Sequence, residues 1–195
     1  TPPQLVVIDR CDTPLQLNLW FAEQEGFAIE TRLADILELE DALGFDAIVA
    51  HSFLGNFPPE ARVPLLRRWF SLLKPGGRVV TINRLRGAST ADTTAFTGAE
   101  ADSFIARFTA DLSPHIDALP CGLDELSRMA VRYMEKRRSH PVRTRAELAE
   151  LFEAAGFELA VIAKLDDSDP GEPRPSGPTM PGGATYMKLV ARRPS

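Results

Sequence analysis

Residues 45–85 carry the pattern that most restricts the possible fold: a strand, a loop, a helix, a tight turn and another strand. Residues 45–50 (FDAIVA) form a short apolar run led by an acid, which predicts a strand buried on both faces of a parallel sheet. Pro58-Pro59-Glu60 is typical of a helix start, and residues 74–77 (KPGG) are typical of a helix end. The β-branched residues that follow predict a second strand. Two strands joined by a helical crossover indicate an α/β protein.

The flanking segments continue this alternation of strands and helices. An early strand ends at Asp9, and Thr13 and Pro14 predict the start of a helix that Gly26 ends. Thr144-Arg145-Ala146-Glu147 is a capping-box pattern that begins a late helix. The last two strands should be antiparallel, because only a loop over residues 166–183 joins them. The pattern predicts a doubly wound, mostly parallel sheet with an antiparallel C-terminal hairpin. The predicted strands are residues 4–10, 27–31, 45–50, 78–85, 157–165 and 184–192.

Composition narrows the class of protein. The chain has 195 residues, of which 44% are hydrophobic, so it is able to bury one core and one domain is expected. Its formal net charge of −5 argues against a nucleic-acid binder that depends on phosphate neutralisation. No apolar run approaches the roughly 20 residues needed to span a bilayer, so a cytoplasmic protein is expected. Cys11 and Cys121 lack metal-ligand spacing, so no metal site is predicted.

Three stretches resemble class I S-adenosylmethionine (SAM)-dependent methyltransferases, which have a Rossmann-like fold. They are FDAIVAHSFLGNF and LLKPGGRVVTINRL in the middle of the chain, and RTRAELAELFEAAGFELAVI near its end. The Leu-Lys-Pro-Gly-Gly phrase by itself is weak, because any helix-to-strand turn can use it. The resemblance implies that SAM is the cofactor and that a small or medium-sized molecule accepts the methyl group.

The resemblance also implies residues that bind the cofactor. Asp9, directly after a strand, matches the acid that accepts hydrogen bonds from the ribose hydroxyls; a helix-capping or solvated carboxylate is the alternative. Asp35 matches the acid near the adenine amino group, and the backbone N–H of Ile36 matches the donor to a ring nitrogen. The alternative for Asp35 is a carboxylate that caps a short turn. The remaining residues implied in this set are Arg10, Ala50 and His51.

His51 is the candidate general base. It directly follows a strand at the edge where α/β proteins bind ligands, and imidazole takes up protons near neutral pH. A loop histidine that bonds to backbone is the alternative. Asn83 and Arg84 end the next strand and are candidates for orienting the acceptor, although turn chemistry also explains the asparagine.

A helical insertion is expected over about residues 88–140, in the position where small-molecule methyltransferases often carry a lid. Phe104, Phe108 and Tyr133 are candidates for lining the acceptor pocket, although an aromatic stripe of this kind more often packs a core. A basic run follows in the second helix and beyond. It is suited to attract an acidic acceptor, but a solvated helix end explains most of it. Its members are Arg132, Lys136, Arg137, Arg138, Arg143 and Arg145.

One departure from the family pattern is that the sequence has no Gly-x-Gly motif and only eight residues before Asp9. The family's first strand and glycine loop would need roughly 25 to 30 residues, and that strand belongs in the middle of the sheet. We therefore expect residues 1–195 to be a partial methyltransferase-like domain. A missing N-terminal segment or another chain would complete its sheet.

Three functions are compatible with the sequence. The preferred one is a SAM-dependent methyltransferase. The second is a catalytically silent binding or partner subunit with the same fold, which the missing glycine loop favours. The third is a nicotinamide-dependent oxidoreductase, which also uses a ribose-binding acid but would not carry an antiparallel terminal hairpin.

Overall fold

A computed structural model of the protein describes residues 3–39, 44–86, 93–118, 122–165 and 185–195. The strands in these ranges are β1 (Leu5–Asp9), β2 (Ile29–Leu33), β3 (Phe45–His51), β4 (Leu73–Leu85), β5 (Glu158–Lys164) and β6 (Thr185–Arg192). The α-helices are α1 (Asp12–Glu25), α2 (Pro59–Leu72), α3 (Gly98–Leu112), α4 (Leu123–Lys136) and α5 (Arg145–Ala154). The loop predicted over residues 166–183 lies outside the described residues.

The described strands form two sheets. Strands β1 and β2 pair in parallel as one sheet. The other sheet has the order β3-β4-β6-β5, in which β3 and β4 are parallel. Strand β6 is antiparallel to both β4 and β5. The predicted α/β class, with parallel strands and an antiparallel C-terminal hairpin, is confirmed.

The core lies on one face of the four-stranded sheet, under α2 and α5. Its buried members include Leu66 and Trp69 from α2, Leu148 and Phe152 from α5, and Leu189 from β6. Close packing of these side chains excludes water from that face, which supplies most of the stabilisation of such a layer. The core therefore fixes β3 and β4, whose carboxyl ends carry His51 and Arg84.

Helix α2 also buries a charged side chain. The sequence pattern predicts a buried stripe of Val63, Leu66, Trp69, Phe70 and Leu73, whereas the fully buried set is Arg62, Leu65, Leu66, Trp69 and Leu72. Arg62 is only 1% exposed, and its Nη1 lies 2.8 Å from Glu147 Oε1 on α5. The ion pair with Glu147 thus includes Arg62 in the buried face of α2. Helical periodicity alone does not predict this, because Glu147 is distant in the sequence.

The opposite face of the sheets is open among the described residues. Val49 of β3 is 79% exposed, so the prediction that this strand is buried on both faces is wrong for the described part of the chain. Leu5, Phe21 and Phe27, all exposed, line the same groove as Val49. The physical reason is that no described helix covers this face of β3. Exposed apolar side chains in contiguous groups are characteristic of surfaces that receive a partner element.

Several element boundaries differ from the sequence prediction. Helix α1 begins at Asp12 rather than after Thr13, because the Cys11 N–H donates to Asp9 Oδ1 at 2.8 Å and turns the chain early. Strand β4 begins at Leu73, before the glycine turn. Gly76 has φ of 77°, a conformation that glycine adopts without strain. The two helices expected between residues 88 and 140 are present as α3 and α4.

Candidate active site

Two carboxylates stand at the carboxyl edge of the β1–β2 sheet. Asp9 ends β1, and Asp35 follows β2 by two residues. The Arg10 side chain links the two positions, because its Nε lies 3.4 Å from Asp35 Oδ2. The strand pairing and this contact bring both acids to the same edge, as expected from the sequence.

The two acids differ in their local hydrogen bonds. Asp9 Oδ1 accepts from the Cys11 N–H, and no described residue hydrogen-bonds to Oδ2. Asp35 Oδ1 accepts from the Leu37 N–H at 2.9 Å, and the Asp35 carbonyl accepts from the Glu38 N–H at 3.0 Å. Asp35 therefore caps a short turn, whereas Asp9 keeps one carboxylate oxygen available for a ligand.

The first cavity, of about 270 Å³, lies between the two sheets. From the β1 side it is lined by Val6, Ile8 and Asp9, and from the loop after β2 by Ile36. From β3 it is lined by the consecutive residues 47–51. Successive side chains of a strand point to opposite faces, so an uninterrupted run of lining residues means that the cavity meets the edge of β3. The carboxyl end of this cavity combines Asp9 and Ile36 with Ala50 and His51.

The second cavity, of about 300 Å³, lies beyond the carboxyl ends of β3 and β4. His51 lines it as well as the first cavity, together with Asn83 and Arg84. The His51 ring stacks against Tyr186 of β6, with ring centroids 6.2 Å apart and an angle of 27° between the planes. His51 therefore belongs to the wall of both cavities.

The chain turns sharply directly after His51. Ser52 has φ of 50°, in the left-handed region that is unfavourable for residues other than glycine. Its N–H donates to the Ile82 carbonyl at 2.7 Å, which holds the turn against β4. Backbone strain of this kind persists only where the surroundings fix it, and here it sets the exit from β3 at the junction of the two cavities.

Asn83 and Arg84 occupy different environments on β4. Asn83 is 1% exposed, and its Nδ2 donates to Thr81 Oγ1 at 3.1 Å. The Arg84 guanidinium carbon lies 6.0 Å from the centroid of the Tyr186 ring. Burial lowers the pKa of Arg84, with the charge of Tyr186 opposing it. Both residues line the second cavity, and Arg84 presents a partly desolvated cation to it.

The aromatic residues of the insertion pack mainly on one another. Phe104 stacks with Phe108 and with Tyr133, each at a centroid distance of 6.0 Å, and lies 5.4 Å from Phe96. None of these rings lines the first or the second cavity, whereas Tyr133 lines a separate, more open pocket with Arg132, Lys136 and Arg137. The acceptor-lining role expected for Phe104, Phe108 and Tyr133 stays a prediction, and the observed packing is that of a small cluster between α3 and α4.

Sequence reasoning missed several residues of the second cavity. Tyr186 lies on a strand that was expected only as part of the hairpin, and Ser52 lies in a predicted loop for which only His51 was given a role. Arg86 left a usable signal, because residues two apart on a strand share a face and Arg84 precedes it by two. Arg137 was noted only as one of a basic run. All four line the second cavity.

No group of three or more His, Cys, Asp or Glu side chains among the described residues is arranged to hold a metal ion. Each described helix is too short or too polar to cross a bilayer. Cys11 is an exposed free thiol, and Cys121 lies outside the described residues.

Known structures with the same fold are mostly SAM-dependent methyltransferases. A putative methyltransferase from Bacillus halodurans C-125 has a TM-score of 0.60 and 14% identity, over 99% of this chain and 84% of its own. The 1,6-didemethyltoxoflavin-N1-methyltransferase of Burkholderia thailandensis, solved with S-adenosylhomocysteine, has a TM-score of 0.57 and 19% identity, over 98% of this chain and 62% of its own. The [4+2]-cyclase SpnF has a TM-score of 0.60 and 16% identity, over 98% of this chain and 66% of its own.

The likeness is one of structure rather than of sequence. No family model matches the chain, and no curated protein matches it significantly. The chain spans 44% to 62% of the length of the first three solved structures that it matches. Similarity at these identities establishes the Rossmann-like methyltransferase fold, and a fold by itself does not determine a reaction.

Proposed function

We propose that this chain, which has the Rossmann-like fold of SAM-dependent methyltransferases, transfers a methyl group from SAM to a small or medium-sized acceptor. The observation that carries the proposal is that His51 lines two adjoining cavities. One of them contains the carboxylate of Asp9 and the other contains Asn83 and Arg84. This arrangement supports a cofactor in the first cavity and an acceptor in the second, with the two ligands meeting beside the imidazole at the junction of the cavities.

The residues at the carboxyl end of the first cavity suit the cofactor's chemistry. Asp9 Oδ2 is available to accept a hydrogen bond from a ribose hydroxyl. Ile36 supplies an apolar side chain and a backbone N–H near the position expected for adenine. Asp35 lies next to Ile36 at the same carboxyl edge of the β1–β2 sheet, where Arg10 and the Leu37 N–H contact its carboxylate. Ala50 and His51 complete this group, and we assign cofactor binding to it.

Bound SAM supplies an electrophilic methyl group on a sulfonium sulfur. Transfer of that group is an in-line displacement that depends chiefly on positioning. The acceptor atom gains the methyl carbon as the carbon–sulfur bond breaks, and S-adenosylhomocysteine leaves. Where the acceptor atom carries a proton, His51 takes it, and stacking against Tyr186 holds the imidazole in place.

We also infer that a β-strand from outside the described residues fills the gap between β1 and β3. The first cavity meets the edge of β3 along residues 47–51 and that of β1 at Val6, Ile8 and Asp9. Unpaired strand edges leave backbone donors and acceptors unsatisfied. The exposed Val49 and Phe21 support a helix that accompanies this strand. Either an N-terminal segment or another chain is able to supply both.

Titration calorimetry with SAM tests the proposed function. Binding of SAM that is weakened by Asp9→Asn and left unchanged by Asp12→Asn is the expected result. Asp12 is a matched control because it is an exposed acid nearby whose carboxylate accepts from Gln16 Nε2. Release of S-adenosylhomocysteine across a panel of metabolites then identifies the acceptor. A folded protein that gives no heat with SAM would exclude the cofactor.

The two other functions are separated by specific observations. The gap between β1 and β3 favours a catalytically silent partner subunit, which would show an intact fold and no SAM binding. The antiparallel pairing of β5 and β6 disfavours a nicotinamide-dependent oxidoreductase. Such an enzyme would enhance NADH fluorescence on binding. The cytoplasmic location expected from the sequence stays a prediction.

A further inference from the structure

We infer that the second cavity selects acceptors that carry an oxyanion group, a carboxylate or a phosphate. The inference rests on the proposed function only in naming the bound molecule a methyl acceptor. The recognition elements are the guanidinium groups of Arg84, Arg86 and Arg137, which all line the cavity. Guanidinium is a planar, permanently charged donor that matches carboxylate and phosphate in geometry.

The cations come from two parts of the fold, the end of β4 and the residue after α4. Arg84 lies near the end of β4, where it pairs with Tyr186 of β6, and Arg86 follows it by two residues. Arg137 follows α4, and its Nη1 donates to Asn56 Oδ1 at 2.8 Å. This contact holds the arginine against the loop after β3. Arg137 is thus held in the wall of the second cavity by a specific contact, which a merely solvated helix end would not require.

Two of these side chains have donors without acceptors. Arg84 Nε and Arg137 Nε are buried, and neither has a hydrogen-bond partner among the described residues. A buried N–H without an acceptor costs free energy. Arg62 Nε and Arg68 Nε are in the same situation away from the cavity, so the guanidinium charges in the cavity wall, rather than these Nε atoms, favour a ligand with acceptor oxygens.

The charge of the cavity points to the same class of ligand. None of the described residues that line it is Asp or Glu. Burial lowers the pKa of Arg84 and of Arg86, and the charge of Arg84 lowers that of Arg86 further, whereas Tyr186 and Glu100 raise the pKa of Arg86. Arg84 has therefore lost part of its hydration without gaining a carboxylate among the lining residues, and an anion restores the balance.

The size of the cavity restricts the rest of the acceptor. About 300 Å³ corresponds to the lower end of the range for small-molecule sites. His51 and Tyr186 add two aromatic side chains to the wall, which suit a flat or apolar body. A small molecule with one oxyanion and a methylatable atom directed toward His51 fits these constraints.

The test compares charged and neutral probes of the same shape in the absence of SAM. Benzoate and phenyl phosphate carry the oxyanion, and benzamide replaces it with a neutral amide. We expect at least one of the two anions to bind about tenfold or more tightly than benzamide by ligand-observed NMR titration. The relative affinities of benzoate and phenyl phosphate decide between carboxylate and phosphate. Equal binding of all three probes would overturn the inference.

Variants of single arginines locate the site. Arg84→Gln and Arg137→Gln should each weaken the preferred anion about tenfold or more, and leave benzamide unchanged. Arg78→Gln is the matched control, because Arg78 lies exposed in the first half of β4 and lines neither cavity. An equal loss in Arg78→Gln would mean that general surface charge attracts the anion, and would refute the site.

The test separates this inference from the proposed function. If Arg84→Gln does not fold, Arg137→Gln and the comparison of probes on the unchanged protein still decide. SAM titration on the same preparation is independent of the anion measurement. Anion binding without SAM binding would contradict methyl transfer and retain the oxyanion site, whereas SAM binding without anion preference would do the reverse.

Discussion

Arg62 on α2 and Glu147 on α5 form an ion pair across 85 positions of the sequence, with Nη1 and Oε1 2.8 Å apart. Arg62 Nη2 also donates to the carbonyls of His140 and Pro141, and Glu147 Oε2 accepts from the Arg143 N–H at 2.8 Å. The pair thereby anchors residues 139–142, three of which line the second cavity. A buried charge network here shapes the wall of the candidate acceptor site.

Removing the carboxylate of Glu147 should destabilise the protein strongly. Glu147→Ala leaves the buried guanidinium of Arg62 without its counter-charge, and we expect a loss of about 3 kcal/mol in the free energy of unfolding. Burial already lowers the pKa of Arg62 against the opposing effect of Glu147. Chemical denaturation measures the change. Glu150→Ala, at an exposed position of the same helix, should stay within about 0.5 kcal/mol; similar losses in both variants would contradict the role of the pair.

Neutralising Asp9 should weaken SAM binding. In Asp9→Asn the side-chain oxygen still accepts from the Cys11 N–H, so the local turn is retained while the charge is lost. We expect the dissociation constant for SAM to rise about tenfold to a hundredfold, the range for hydrogen bonds to charged groups. Calorimetry checks this, with Asp12→Asn as the control. Unchanged affinity in Asp9→Asn would mean that this carboxylate does not contact the ribose.

Replacing the imidazole of His51 should slow catalysis. For an acceptor that loses a proton, His51→Gln is expected to reduce kcat by about a hundredfold or more, because general bases typically contribute that much. The rate is measured at saturating SAM with an acceptor found by S-adenosylhomocysteine release. His115→Gln, at an exposed position of the turn after α3, serves as the control. A change in kcat of less than about threefold in His51→Gln would show that no base is needed at this position.

The turn after β3 should tolerate glycine and resist branched side chains. With φ of 50° at Ser52, Ser52→Gly removes the side chain that disfavours this conformation, and Ser52→Val makes it worse. We expect Ser52→Val to lose about 1 to 3 kcal/mol of stability and Ser52→Gly to lose less than about 0.5. Thermal and chemical unfolding of the two variants provide the comparison. Equal stability of both would mean that the left-handed turn is not maintained.

The backbone amides at the edges of β1 and β3 should be protected from hydrogen exchange in the protein purified from its natural source. If a strand fills the gap, the backbone amides on the facing edges of β1 and β3, whose residues line the first cavity, exchange slowly with deuterium. Residues 113–118, a short exposed helical turn, provide the reference for rapid exchange. Hydrogen exchange followed by mass spectrometry distinguishes the two cases. Exchange at the β1 and β3 edges as fast as in that turn would contradict completion of the sheet.

The fold followed from local patterns, whereas the second cavity did not. Residues 45–50 and the proline pair before α2 carried enough periodicity and turn chemistry to predict β3 and the helix after it. Asp9 was correctly expected at the end of β1, although its bond to Cys11 moved the start of α1. Tyr186 and Arg137 join His51 in the wall of the second cavity through strand pairing and a long-range contact with Asn56. No local spacing encodes such contacts, so the charged wall became visible only in three dimensions.

The position of His51 between two separate cavities also bears on the order of events during a catalytic cycle. Methyl donor and acceptor would occupy chambers that meet at a single side chain, so neither ligand has to pass through the other's chamber to reach its place. Initial-velocity patterns should then be those of a random sequential mechanism rather than of an ordered sequential one.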